Sequence, residues 1–226
     1  MPPTYPNLLA IPSSPNPPQV IFLDAVGTIF GVKGSVGEIY CTFAQKFGVE
    51  CTPPEVNKAF YHQFKTAPPG AYTGLSAIEL PRQEYAWWKE INSQTFRAIG
   101  KIQEFTDFDA FFDELYYYFA TAAAWEIYSD TLLALNQWQK QGITLELISN
   151  FDTRLYAVLK ALDLSKYFSQ ITISTVVGIA KPEPAIFQAA LAGRTANQAW
   201  HIGDSELEDY QGAIAAGLQA FWLERP

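Results

Sequence analysis

Basic residues are scarce in this 226-residue sequence: 15 Lys and Arg stand against 23 Asp and Glu, a formal net charge of −8. Nucleic acid and anionic membranes both need basic patches, so neither is expected as a main partner. A small anionic substrate stays open, because a single site can be locally positive. The only two cysteines, Cys41 and Cys51, are too few for a disulfide framework and read as reduced, partly buried thiols. With two histidines, His62 and His201, nothing suggests a His-based triad or a zinc site. No apolar run reaches the ~18 residues of a membrane helix. No Lys or Arg precedes Lys33, so the basic start of a signal peptide is missing. These absences together point to a soluble, cytoplasmic chain, with monomer and homodimer equally open.

What is present is apolar material: 49% of the residues are hydrophobic and 15% aromatic, ample for a core. Residues 1–18 are rich in proline with Ser and Asn between, which reads as a disordered, extended tail. The run Val20-Ile21-Phe22-Leu23 then reads as a buried parallel strand ending in Asp24. From 34 to 123 the spacing is helical, over about 35–47, 53–64, 81–99 and 108–123. Aromatics such as Tyr40, Phe43, Trp87, Trp88, Phe111 and Phe112 recur there and read chiefly as the core of a small helical domain. Beyond Trp125 helix and strand alternate: strands at 143–148, 171–174, 199–204 and 218–223, helices at 132–141, 153–162, 184–192 and 207–216. That alternation implies βαβ units and a parallel sheet with right-handed crossovers. The expected organisation is an α/β core from 19–33 and 124–226, a Rossmann-like parallel sheet flanked by helices, interrupted by an all-helical insertion over 34–123.

Polar residues stand where these strands end: Asp24, Ser149-Asn150, Lys181, and Asp204 with Asp209 beyond it. In a parallel sheet all the carboxyl ends share one edge, so these residues can converge. Asp24 alone reads equally as a turn-capping residue; its distant partners favour a site. Carboxylates, a hydroxyl and one lysine suit a divalent, oxygen-loving cation beside an anionic group, and Mg²⁺ prefers such a mixture of carboxylates and substrate oxygens. His201, inside a strand, reads as a satisfied structural histidine. Asp152, Glu206 and Glu208 read as helix-start residues that complement the helix dipole.

The segments Asp24-Ala25-Val26-Gly27-Thr28-Ile29, Ser149-Asn150, Lys181-Pro182-Glu183-Pro184 and Gly203-Asp204-Ser205 through Asp209-Tyr210-Gln211-Gly212-Ala213 resemble the haloacid dehalogenase superfamily. The branch is the one with a helical cap inserted after the first motif, and the last segment is similar to the rhythmically-expressed-gene-2-like group. The resemblance implies a hydrolase in which Asp24 attacks phosphorus and forms an aspartyl-phosphate. It implies Mg²⁺ held by Asp24, the Val26 backbone carbonyl, Asp204 and Asp209, with Ser149 and Lys181 on the transferring phosphoryl group. Thr28 would support the loop after the nucleophile; Asn150 would contact substrate or cap the next helix. The substrate would be a small phosphorylated metabolite.

The pattern breaks at one position. Phosphatases of this family usually carry a second Asp two residues after the nucleophile, which protonates the leaving group and then activates water. Here that residue is Val26, which does neither. Haloacid dehalogenases dispense with that acid but use a cap arginine; here Glu55 stands near its place and the first arginine is Arg82. Phosphonatases use a cap lysine, and Lys58 and Lys65 read instead as solvated helix residues. The alternative to an unusual phosphatase is therefore a binding or regulatory protein that keeps the scaffold with little turnover.

Overall fold

A computed structural model describes residues 2–12 and 14–225; Met1, Ser13 and Pro226 lie outside the description. The strands are β1 (Thr4–Tyr5), β2 (Val20–Leu23), β3 (Phe30–Val32), β4 (Trp125–Ile127), β5 (Thr144–Ser149), β6 (Gln170–Ile173), β7 (Ala199–Gly203) and β8 (Gln219–Leu223). Six of them form one sheet in the order β1-β8-β7-β2-β5-β6, and every pairing in it is parallel. β3 and β4 form a separate two-stranded sheet. The chain makes two compact units. The first runs up to Gly31, takes in Gly70–Gly74 and resumes at Glu126; the second holds Val32–Pro69 and Leu75–Trp125.

In the first unit β2 is central and all four of its residues are buried, because a Val-Ile-Phe-Leu run has no polar face to give to water. Phe22 packs with Ile148, Ile186, Phe187, Ala190 and Leu218 on one side of the sheet. Within the segment 1–18, expected as a disordered tail, two described stretches are ordered against the first unit. Thr4–Tyr5 pairs with Trp222–Leu223, and Leu8 is buried with its N–H donated to Asp130 Oδ2 at 2.7 Å. Proline excludes a central strand but not a short edge strand, which hydrogen-bonds on one side only. Residues 70–74, expected within the helical insertion, belong to the first unit. There Ser174 Oγ donates to Gly70 O at 2.8 Å.

The second unit is built on four helices, α1 (Val36–Lys46), α2 (Pro53–Thr66), α3 (Glu79–Ala98) and α4 (Phe108–Tyr118). Three begin on side-chain caps that satisfy otherwise orphaned N–H groups. Ser35 accepts from Glu38 N, Thr52 and Glu55 form a capping box, and Asp107 accepts from Ala110 N. The aromatics are its core, as their spacing suggested. Tyr40 meets Phe60 edge-on at 5.5 Å, and Phe111 meets Phe96 at 5.3 Å. No helix among the described residues is long and apolar enough to cross a membrane.

Candidate active site

Register brings the strand ends together. Leu23 pairs with Leu147 on one side and Ile202 on the other, so Asp24 emerges between Ser149 of β5 and Asp204 beyond β7. Its backbone N–H continues the ladder to Ile202 O at 2.9 Å, while its side chain is almost fully buried. The chain then turns sharply: Ala25 O accepts from Ile29 N at 2.9 Å and Gly27 N donates to Phe30 O at 2.8 Å. Gly27 has φ +87°, and a Cβ there would lie 2.4 Å from Asp204 Oδ2, so both backbone and space call for glycine. Thr28, expected to support this loop, is buried, and its hydroxyl donates to Asp204 Oδ1 at 3.4 Å. Arg225 holds the loop from the opposite end of the sequence, donating to Thr28 O and to Asp130 Oδ1 at 2.7 Å.

Lys181 is buried and its ammonium bridges Asp24 Oδ1 at 2.7 Å and Asp209 Oδ1 at 2.5 Å. The two side-chain ends of Asn150 hold the lysine's own backbone. Oδ1 accepts from Lys181 N at 2.8 Å and Nδ2 donates to Lys181 O at 2.9 Å, with a further bond to Glu208 Oε2 at 3.0 Å. Asn150 thereby positions Lys181, a role the strand-end pattern did not suggest. Ser149 is the buried last residue of β5, at the same edge. Asp152, near a helix start as expected, is occupied by a two-pronged ion pair with Arg154.

Asp209 was expected within a regular helix over 207–216. The chain instead makes a π-helical turn at Glu206–Gln211 before the short helix Gly212–Ala215. The wider turn carries the Asp209 carboxylate back toward β7, where Oδ2 accepts from Ser205 N at 3.0 Å. His201, fully buried on β7, lies with Nε2 2.8 Å from Asp209 Oδ1, and its Nδ1 has no partner among the described residues. That arrangement assigns the tautomer that donates from Nε2. His201 is structural as expected, but it also orients a site carboxylate, a link between residues whose pairing depends on the unforeseen π turn.

Gly203 makes room for that carboxylate: a Cβ there would fall 2.1 Å from Asp209 Cγ. Gly203→Ala is therefore expected to cost about 2 kcal/mol or more in chemical denaturation, by forcing Asp209 off Lys181 and His201. An unchanged midpoint would contradict this reading of the glycine.

The electrostatics follow from burial and neighbours. Burial raises Asp24 more than Lys181 lowers it, so it titrates above the ordinary carboxylate range. Burial would raise Asp209 too, but Lys181 and His201 overcome it and hold Asp209 well below that range. Lys181, despite burial, is held charged by Asp209 and Asp24. Desolvation lowers His201, keeping it neutral. Asp204 is the most open of the three carboxylates, yet desolvation and the charges of Asp24 and Asp209 push it up to about 7. Oxygens of Asp24, Asp204 and Asp209 lie within 4.8 Å of one another. Once all three carboxylates are ionised, they stand against one ammonium with a local charge of −2.

A parallel α/β sheet with a buried Asp–Lys pair and two further carboxylates at its carboxyl edge is the arrangement that the resemblance to the haloacid dehalogenase superfamily implied. The chain belongs to the haloacid dehalogenase-like hydrolase family, whose model matches residues 18–217. Mouse (Mus musculus) haloacid dehalogenase-like hydrolase domain-containing protein 3 is 33% identical over 206 residues, covering 90% of this chain and 80% of its own. The Drosophila melanogaster rhythmically expressed gene 2 protein is 26% identical over 209 residues, 88% and 80% of the two chains. A phosphoserine phosphatase from Thermus thermophilus is 32% identical over 111 residues, 48% of this chain and 45% of its own. Among solved structures, the Bacillus subtilis hydrolase YfnB bound to magnesium superposes with a TM-score of 0.70 at 15% identity. It covers 91% of this chain and 88% of that one, a likeness of fold.

Proposed function

We propose that this chain hydrolyses a small phosphorylated metabolite through an aspartyl-phosphate on Asp24, with Mg²⁺ as cofactor. The observation that carries the proposal is the buried Asp24 carboxylate paired at 2.7 Å with Lys181 inside a carboxylate trio. An Asp oxygen attacking phosphorus in line forms one P–O bond as the bond to the leaving oxygen breaks, and water later releases phosphate and restores the carboxylate. Lys181 steadies the nucleophile and places a positive charge beside the phosphoryl oxygens, with the Ser149 hydroxyl as a second donor. The donor set fits a hard divalent cation: the local charge of −2 is what one such ion neutralises, and all the ligand atoms are oxygens. Asp24, Asp204, Asp209 and the Val26 carbonyl would hold it. Bound there, Mg²⁺ would supply charge neutralisation at the phosphoryl oxygens. The Thermus phosphoserine phosphatase supports phosphoryl chemistry, and magnesium bound by the Bacillus hydrolase supports the choice of ion.

A second reading, a binding or regulatory protein with little turnover, is favoured by Val26, which puts a hydrocarbon where the leaving-group acid is expected. An assay with Mg²⁺ on an aryl phosphate and a metabolite panel separates the two. Turnover that depends on Asp24 supports the hydrolase, and Mg²⁺ binding with no turnover on any substrate assigns the second reading.

Metal binding should also track Asp204. Free of metal, Asp204 keeps its proton below about pH 7, and Mg²⁺ must displace it. With half of Asp204 already ionised at pH 7, apparent Mg²⁺ affinity by calorimetry is expected to fall about fivefold between pH 7 and pH 6, approaching about tenfold per pH unit below that. Asp204→Asn should weaken that dependence and remove most of the affinity, leaving only the part due to Asp24, whereas a pH-independent wild-type affinity would remove Asp204 from the ligand set.

A further inference from the structure

Outside the site, the two cysteines stand together in the helical unit. Cys41 lies in α1 and Cys51 directly precedes Thr52, the residue that caps α2, yet their sulfurs are 2.9 Å apart. That is less than 1 Å beyond the ~2.05 Å of a disulfide bond. The approach is held from several directions. Gly48, at φ +83°, reverses the chain after α1, and Val49 N donates to Ala44 O at 3.1 Å. Glu55 Oε1 accepts from Thr52 N at 3.2 Å, and Asn57 Oδ1 of α2 accepts from Gly37 N of α1 at 2.6 Å. Both thiols are partly exposed and open onto a groove of about 430 Å³ lined also by Glu38, Thr42, Gln45 and Glu50.

We propose that Cys41 and Cys51 are a reversible redox pair that closes to an intramolecular disulfide on exposure to a peroxide. The oxidant class follows from charge: Glu38 and Glu50 in the groove repel an anionic disulfide such as oxidised glutathione but not neutral hydrogen peroxide. A cysteine sulfur attacks one peroxide oxygen, the O–O bond breaks, and hydroxide departs to become water, leaving a sulfenic acid. The second sulfur then attacks the first, the S–O bond breaks, and the oxygen leaves as a second water with that thiol's proton. Two thiols lose two electrons and one peroxide becomes two waters. Burial pushes the Cys51 thiol up as well, but less so because Cys41 donates to its thiolate, so Cys51 is the first sulfur to react. Burial, Cys51 and Glu55 push Cys41 up to about 12, so little of it is thiolate at neutral pH and closure onto the Cys51 sulfenic acid is slow, carried by the 2.9 Å approach of the two sulfurs.

The test is thiol counting on the full-length reduced protein by maleimide labelling and intact mass, before and after hydrogen peroxide. The expected result is two labels falling to none on a monomer, with a mass loss of about 2 Da and recovery of both thiols by dithiothreitol. The oxidised form should melt about 5 °C higher, since the cross-link constrains the unfolded chain, and Cys51→Ser should show no such rise. Two labels retained, oxygen added at either cysteine, or dimers joined between chains would each overturn the proposal.

Discussion

Asp24→Asn is expected to lower turnover of an aryl phosphate by at least about 10³-fold at saturating Mg²⁺, the scale of removing a covalent nucleophile. The substitution is nearly isosteric but replaces a carboxylate oxygen with an amide, which does not form the acyl-phosphate. It also takes the local charge from −2 to −1, so metal affinity should fall and saturation must be checked for each variant. Lys181 keeps its 2.5 Å contact with Asp209, so the site's frame survives. Stability offers an independent control. Asp24 titrates above its unfolded value because burial outweighs Lys181, so the folded state binds its proton more tightly than the unfolded one. Its ionised form therefore costs stability increasingly as pH rises above the unfolded pKa. Without metal at neutral pH, Asp24→Asn should melt no lower than wild type. Loss of turnover in an intact fold assigns the nucleophile to Asp24, whereas turnover that survives would remove it from that role.

Much of this frame was legible in the sequence because it is written locally. An unbroken apolar run such as Val20–Leu23 is a central strand, and a polar residue directly after it stands at the ligand edge of a parallel sheet. Asp24, Ser149 and Asp204 were singled out that way, as was the aromatic core of the helical unit by its spacing; Lys181 instead stands eight residues beyond the end of β6, past a short helix over 174–177. What escaped depends on pairings that sequence periodicity does not carry. The grip of Asn150 on the backbone of Lys181 spans 31 positions, and that of Arg225 on Thr28 spans 197. The π turn that brings Asp209 onto His201 is invisible to a 3.6-residue period. Nothing in the sequence marks Gly203 as the place where the Asp209 carboxylate lies against the backbone. The edge strand Thr4–Tyr5 was hidden by neighbouring prolines, whose missing donors matter only on the side that faces a partner strand.

Val26→Asp is expected to raise hydrolysis of an alkyl phosphate by about 10²–10⁴-fold, the range general acid–base catalysis supplies. An alkoxide is a poor leaving group unless protonated as it departs, whereas a phenolate, with a conjugate acid near pKa 10, leaves far more readily. The gain should therefore be large on alkyl substrates and small on aryl ones, and the ratio of the two is the decisive readout. Val26 sits in the tight turn after Asp24, bridged to Phe30, and is only partly buried. A carboxyl there keeps some contact with water, and the substitution leaves in place the backbone carbonyl proposed as a metal ligand. To act as an acid the new Asp must be protonated, so the gain should shrink as pH rises, opposite in sign to the metal dependence through Asp204. A variant that binds Mg²⁺ normally yet gains nothing on alkyl phosphates would show that the hydrocarbon at Val26 is not what limits the enzyme. A gain confined to alkyl substrates would instead identify Val26 as the residue that restricts this chain to esters whose leaving groups need no proton.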